Sequence, residues 1–573
     1  MNVTPDTALG AALRLIEDAW AELSRSVFVQ HAMGITPKSL PDLSLAEAER
    51  KSAVGRSLLA RANAIDADSL PHDVALTVRM VRFRAATWAR EAEWYWTIID
   101  PAGVAFFGFF LPTGYCGGYL LNSVRQFVAG FRFESDGDLD RYLALASDYA
   151  RLIDQIRVRT VGQAGRGIYM PRVQIQQAQG LIGAFRSQVR PTWAVVAGRL
   201  MAVRKGSFDQ ELERRLTDID RAFGELADIF SPAYLAKAPE TVGMGQYPGG
   251  KEIYAELVKL HTTLDLTPEQ VHGIGHERMK GIEAAMARIR AEVGFSGDGK
   301  AYLAQLNQDP RWRADTAEGV GKVFQKYIDR MKPKFDQYFA YGAKAAYGAA
   351  PLPAALEGSM TFGYYDGATP DKPVGTYLFN AANLTKVALF HIGALNFHEL
   401  VPGHHLHLST QLENQLLHPF RTYSFVNAYN EGWAEYSATL AGEMGMYVEP
   451  EERYGRLVMD AFLTCRLVVD TGMNVLGWSL EQAREYLRDH CAMSETEIRS
   501  ETIRYSCDIP GQALAYKMGD TKMFELRARM QAALGARFDI KRFHAAVLGP
   551  GALPLPDLDW HLEQETRRIS VED

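Results

Sequence analysis

Apolar residues recur along most of this chain three and four positions apart, the spacing of one face of a helix. Leu9, Leu13, Ile16 and Trp20 share a side in a helix predicted over residues 7–32. The pattern repeats at 44–64, where Ser44 and Glu47 spell a capping box, and at 71–95. It returns over 138–159, 173–203 and 208–229, with a break at 165–171. Residues 231–250 turn to Pro, Gly and small side chains, which marks a boundary or a crossing. Helical spacing resumes at 251–263, then at 267–293, where Pro268 follows Thr267 and suits the first helical position. Residues 316–331 and 335–345 follow. One region has β character: 358–365 and 376–379, rich in Gly, aromatic and β-branched residues, on either side of a turn-like 366–375. Helices are then predicted at 451–472, 479–489 and 494–505, from Pro510 to about 534, and at 538–547 and 557–569. The expected fold is mainly α. A helical N-terminal lobe over 1–235 is expected to pack on a second lobe over 250–573, or the two run together as one domain, with a deep cleft and a short sheet.

One segment departs from the ordinary mix. Residues 396–408 read Asn-Phe-His-Glu-Leu-Val-Pro-Gly-His-His-Leu-His-Leu, placing four of the 14 histidines within ten positions. In the H-E-x-x-H pattern two His one turn apart hold a metal, and the Glu between them activates its water. Here Pro402 stands where the second His belongs. At about 100° per residue, His404 would point roughly 120° away from His398 on a regular helix. His405 would point the right way but lie about 10 Å further along the axis. The helix must therefore break between them. Pro402 gives the cause, since it lacks an N–H and crowds the carbonyl of His398, and Gly403 gives freedom to close the excursion. Downstream, Glu431 and Glu435 sit one turn apart in Asn-Glu-Gly-Trp-Ala-Glu-Tyr, where one carboxylate can ligate a metal and the other can accept the spare N–H of a ligating His.

These runs, with Pro510-Gly511-Gln512-Ala513 and more weakly Leu266–Gly275, resemble a bacterial family catalogued as domain of unknown function 885. That family looks related to the gluzincin zinc peptidases, the group of thimet-type oligopeptidases and angiotensin-converting enzyme. The resemblance covers at least the C-terminal half. It implies one zinc ion held by His398, His404 and Glu431, with His405 the alternative to His404, Glu399 as general base and Glu435 behind a ligand. It also implies a Tyr on a C-terminal helix that stabilises the oxyanion, for which Tyr505 and Tyr516 are candidates, with Arg504 to bind a carboxylate. A strand beside the metal pairs with substrate in such enzymes, and the run Thr376–Asn380 with Tyr377 stands in place to do so by offering an unpaired edge. The implied reaction is zinc-dependent hydrolysis of amide bonds in short peptides. A small non-peptide amide as substrate, or a binding protein with a dead site, are the competing readings.

Composition narrows the partners. Charged residues are 23% and the net charge is −7, with no basic block, which argues against a nucleic-acid surface. Four cysteines without C-x-x-C spacing call for no disulfide framework. The N-terminus lacks a basic start followed by an apolar run, and the apolar stretch 104–111 is too short to span a bilayer. The sequence thus predicts a cytoplasmic protein without membrane or nucleic-acid partners. Its Phe106, Phe107, Phe109 and Phe110 read as core or cleft floor. The Gly-rich turn 112–118 lacks phosphate-loop spacing and reads as a plain loop.

Overall fold

Short polar side chains set where several helices begin, because each satisfies an amide that the first turn leaves without a partner. Thr7 accepts from Gly10 N ahead of α1 (Ala8–Leu23), and Ser44 accepts from Glu47 N ahead of α2 (Leu45–Asn63). The Glu47 carboxylate does not complete the expected box but pairs with Arg50 at 2.7 Å. Thr267 and Gln270 form a full capping box, with Pro268 in the first turn of the helix that follows. The computed structural model describes residues 7–195, 207–353, 363–369 and 372–571. The end of the helix expected over 173–203 and the start of the strand expected at 358 lie outside them.

Further helices, numbered in chain order, include α3 (His72–Trp88), α4 (Gly117–Ala129), α5 (Asp136–Ala164), α6 (Phe208–Ala227), α7 (Gly250–Thr262), α8 (Pro268–Glu292) and α9 (Ala317–Tyr338). After a small sheet come α10 (Ile392–Glu399), α11 (His404–Glu413), α12 (Asn427–Glu443), α13 (Pro450–Asn474), α14 (Ala515–Leu534) and α15 (Leu555–Val571). The chain is thus almost wholly helical. The helix expected over 7–32 is broken after Leu23 and the one over 173–203 after Ser187. In place of the helices expected at 316–331 and 335–345 a single helix, α9, runs through Pro333 and ends at Tyr338. The turn 112–118 leads directly into α4 and clasps a side chain of its own chain: the Thr113 hydroxyl and the amides of Tyr115 (2.7 Å) and Cys116 (2.9 Å) all donate to Asp508.

Among the described residues one sheet forms, with strands β1 (Ala346–Pro351), β2 (Gly363–Asp366) and β3 (Val374–Phe379) in the order β1-β3-β2. β1 runs parallel to β3 with Ala346 opposite Val374, and β2 runs antiparallel with Gly363 opposite Phe379. Both edges of β3 are therefore taken. The expected role of this strand as an open edge is corrected: β3 sits mid-sheet, so its N–H and C=O groups pair within the chain. Tyr377 is fully buried with its ring 5.4 Å from Phe324, and is core rather than a surface for substrate.

Two large cores fill the molecule. One joins Leu15, Val78 and Trp88 to Phe397, Trp433 and Leu562; the other joins Phe109, Ile153 and Phe223 to Leu467, Ile509 and Met518. Each draws on both sides of residues 235–250, so that stretch does not separate two cores. Phe107, Phe109 and Phe110 lie in the second core.

Candidate metal centre

The break that the sequence requires is present. α10 stops at Glu399, Leu400 leaves helical geometry (φ −105°, ψ −120°), and α11 starts at His404. Gly403 is needed for space rather than for freedom: its φ is −76°, and a Cβ there would fall 1.9 Å from the His398 carbonyl oxygen. The Pro402 carbonyl is held by Trp433 Nε1 at 2.9 Å and Ser437 Oγ at 3.2 Å, so α12 clamps the break in place.

This excursion turns His404 back beside His398. Their rings lie 4.8 Å apart and nearly perpendicular. His398 Nε2 and His404 Nε2 approach the same oxygen, Glu431 Oε2, at 3.7 and 3.3 Å. That oxygen is buried and accepts no aligned hydrogen bond among the described residues. Two imidazole nitrogens and an orphaned carboxylate oxygen within 4.8 Å of one another make a donor set that suits a divalent cation of borderline softness. His405 is not part of it. Its Nε2 meets the Ala345 carbonyl at 3.1 Å and its Nδ1 meets the Tyr365 hydroxyl at 2.8 Å, which fastens α11 to the sheet. Between the two histidines left open by the spacing, the geometry selects His404.

Five of the six residues in the Glu431–Tyr436 run make contacts that shape the site. Glu431 faces the two imidazoles. Gly432 lets α12 meet α14, since a Cβ would come within 2.5 Å of Gly519 Cα. Trp433 holds Pro402. Glu435 Oε1 lies 2.8 Å from His398 Nδ1, and Tyr436 Oη lies 2.8 Å from His544 Nε2.

Glu435 is 2% exposed and also receives Arg456 Nη2 at 2.9 Å and Lys517 Nζ at 3.4 Å. Burial opposes its ionisation, but the charges of Arg456 and Lys517, with the His398 bond, hold it well below the usual carboxylate range. An ionised acceptor at Nδ1 requires His398 to carry a proton there, so the neutral ring presents its Nε2 lone pair toward Glu431. Burial also opposes the ionised form of Glu431, and the charges of His404 and His398 beside it outweigh that, so its pKa is lowered. Burial raises the Glu399 carboxyl above the usual range against the pull of His398 and His404. Among the described residues no hydrogen bond reaches the carboxyl of half-buried Glu399, and His404 Nδ1 is buried without a partner.

The two candidate tyrosines part ways. Tyr516 stacks parallel to His398 at 6.0 Å, and burial next to the Glu431 carboxylate pushes its hydroxyl up to about 12. Tyr505 is fully buried, accepting from Arg466 Nε at 2.7 Å and donating to Glu501, with no contact to the cluster. Arg504 reaches Gln512 Oε1 at 2.7 Å and Glu501 at 3.5 Å, and its guanidinium lies over the Tyr115 ring. The sequence reading missed Arg456 and Lys517. A signal existed for the second, a lone Lys at the end of Ala513-Leu514-Ala515-Tyr516. It is 0% exposed and bonds Asp520 at 2.5 Å and Asp460 at 2.8 Å. The upstream His272–Gly275 run packs rather than ligates, with His272 Nδ1 2.9 Å from Thr471 Oγ1 and Gly275 against Val468 of α13.

The family described as "Bacterial protein of unknown function (DUF885)" matches residues 29–562. The chain belongs to this family. Two solved structures share the fold of this DUF885 chain. A candidate lipoprotein from Colwellia psychrerythraea superposes with a TM-score of 0.82 at 23% identity, over 98% of this chain and 100% of that one. A candidate lipoprotein of unknown function from Shewanella oneidensis gives 0.70 at 16% identity, over 97% and 99%. No curated protein matches the sequence. Neither the family description nor the two structures names a peptidase. The expected cytoplasmic location and freedom from membrane partners are corrected by the two structures: the same fold occurs in proteins described as lipoproteins, so sparse cysteines and an acidic balance do not assign a compartment. Among the described residues no helix is long and apolar enough to cross a membrane.

Proposed function

We propose that His398, His404 and Glu431 of this DUF885 chain bind one divalent cation, zinc by donor type, and that the site hydrolyses an amide bond. The observation that carries this reading is the convergence of both Nε2 atoms on one orphaned buried oxygen, Glu431 Oε2. A cation bound there supplies a polarised carbonyl and a water acidic enough to lose its proton near neutral pH. The rest falls to the chain. Glu399 is next in sequence to His398, and burial raises its proton affinity, as a base that must accept and then return a proton requires. Tyr516 keeps its proton at neutral pH and can donate to an oxyanion. Glu435 fixes the tautomer of His398.

The substrate follows from the sheet. With both edges of β3 paired, strand addition at that strand gives no grip on an extended peptide. We therefore favour a small amide over a long peptide. The gluzincin likeness rests on the motif residues and supports the ligand assignment alone. A specific observation favours a second reading, a metal-binding protein without hydrolysis: the Glu399 carboxyl lacks a described partner to aim it. Metal analysis paired with Glu399→Gln separates the two. Hydrolysis of a panel of small amides and short peptides by the zinc-loaded protein, lost in Glu399→Gln while zinc is kept, supports the enzyme. Zinc lost in His404→Gln, with no turnover in the wild type, supports the binding protein. Full activity in Glu399→Gln removes that residue as base.

A further inference from the structure

A second group of two histidines and a carboxylate lies elsewhere in the fold, where the start of α3 meets α15. His72 Nε2 and His561 Nδ1 are 2.7 Å apart, and a Glu565 oxygen lies with them inside a 4.8 Å set. His561 and Glu565 are four apart on α15 and so share a face, the arrangement in which one helix offers two ligands to one ion. His72 comes from the other end of the chain, 489 residues away.

The hydrogen bonds prepare this group for a cation. His561 is 6% exposed, and its Nε2 lies 2.9 Å from the Ala546 carbonyl, which can only accept. The proton of His561 is therefore on Nε2, and Nδ1 presents a lone pair toward His72. A ligating imidazole is commonly fixed in this way, through its other ring nitrogen on a backbone carbonyl. In the metal-free chain that lone pair is met by a proton on His72 Nε2. A cation takes the place of that one proton, with His72 moving its hydrogen to Nδ1. The His72 ring is held flat against Trp560 at 5.0 Å, which limits how it can turn. Arg568 binds Glu565 through Oε2, at 2.7 Å, and a carboxylate has a second oxygen to offer. Burial lowers the basicity of both imidazoles, which keeps them neutral and able to ligate.

We propose that His72, His561 and Glu565 form a second site for a divalent transition metal, zinc by donor type, that fastens α3 to α15. Its role is structural: it joins distant parts of the chain, and the ion binds only when both helices are in place, so binding stabilises the fold.

The test is the zinc content of untagged protein, stripped by chelator, reloaded with zinc chloride and gel-filtered. Two ions per chain are expected in the wild type, one in His404→Gln, one in His72→Gln, one in Glu565→Gln and none in His72→Gln with His404→Gln. In the His404→Gln background zinc is expected to raise the Tm by a few degrees, and to leave the doubly substituted protein unchanged. His404→Gln without zinc, or His72→Gln and Glu565→Gln that both keep two ions, overturns the second site. Loss of the first site alone shows as one ion in the wild type that survives His404→Gln, so failure of either assignment is read separately.

Discussion

Replacing Glu435 by Gln takes one negative charge from a point where three donors meet: His398 Nδ1 at 2.8 Å, Arg456 Nη2 at 2.9 Å and Lys517 Nζ at 3.4 Å. Two costs follow, and they are read by different instruments. Lys517 keeps Asp460 and Asp520, but Arg456, whose side chain is 8% exposed, keeps only the Thr439 hydroxyl at 2.8 Å among the described residues. Breaking a buried ion pair costs about 3–5 kcal/mol, and the amide oxygen of Gln recovers part of it, leaving about 2–3 kcal/mol. With an unfolding entropy of about 2.1 cal/mol/K per residue, a single transition of a chain this long loses roughly 2 °C in Tm. The second cost falls on the metal. Removing the carboxylate that orients a ligating imidazole typically weakens binding by about 10–100-fold. Zinc affinity, measured by competition with a chromophoric chelator, is expected to drop by that factor, while the chelator-stripped protein shows only the small Tm loss. Zinc affinity within twofold of wild type in Glu435→Gln would show that His398 is not a ligand held through Nδ1, and the centre as described would fail.

Other outcomes follow from the same geometry. Gly432→Ala places a methyl 2.5 Å from Gly519 Cα and is expected to cost about 1–3 kcal/mol and to weaken zinc binding as α12 shifts Glu431; calorimetry and the chelator assay read both. His405→Ala removes the bonds to Tyr365 and Ala345, so stability falls by about 2 kcal/mol while zinc content is unchanged; loss of zinc would return His405 to the ligand set. Burial pushes His261 and His544 down to about 3, whereas unfolded histidine titrates near 6.5. The unfolded chain then binds more protons below pH 6.5, so stability is full above that pH and is lost as pH falls toward 3. A Tm series from pH 8 to 4 is expected to show the decline and to flatten in His261→Gln; a profile equally steep in that variant would refute the assignment.

The helices were legible because apolar spacing and starts such as Thr267-Pro268 are local signals. The break at Pro402-Gly403 was legible for the same reason, since a proline without its N–H and two histidines at the wrong angle leave a helix no regular path. The reason for Gly403 was not: crowding by the His398 carbonyl is a fact of the folded turn, and the sequence suggested freedom instead. Tyr377 was misread because a strand's place in a sheet depends on β1, whose Ala346-Tyr347-Gly348 run carries little β-branched signal. Pro510 suggested a helix start, yet the chain makes a wide turn at Arg504–Asp508 and a short tight one at Gln512–Leu514 before α14 begins at Ala515. That detour lets Asp508 reach the 112–118 turn and Gly511 N reach Asp470 at 3.0 Å, contacts between residues far apart in sequence. Arg456 and Lys517 escaped notice because a charge that neutralises Glu435 is recognised only once α12, α13 and α14 are brought together.

The central claim is that His398, His404 and Glu431 share one ion. A crystal structure of the zinc-loaded protein, with anomalous differences recorded on either side of the zinc edge, tests it most directly. A peak bonded to His398 Nε2, His404 Nε2 and a Glu431 oxygen is expected, with Glu435 still on His398 Nδ1. A zinc-loaded crystal with no peak among those three side chains, or with the ion on His405 instead, would contradict it.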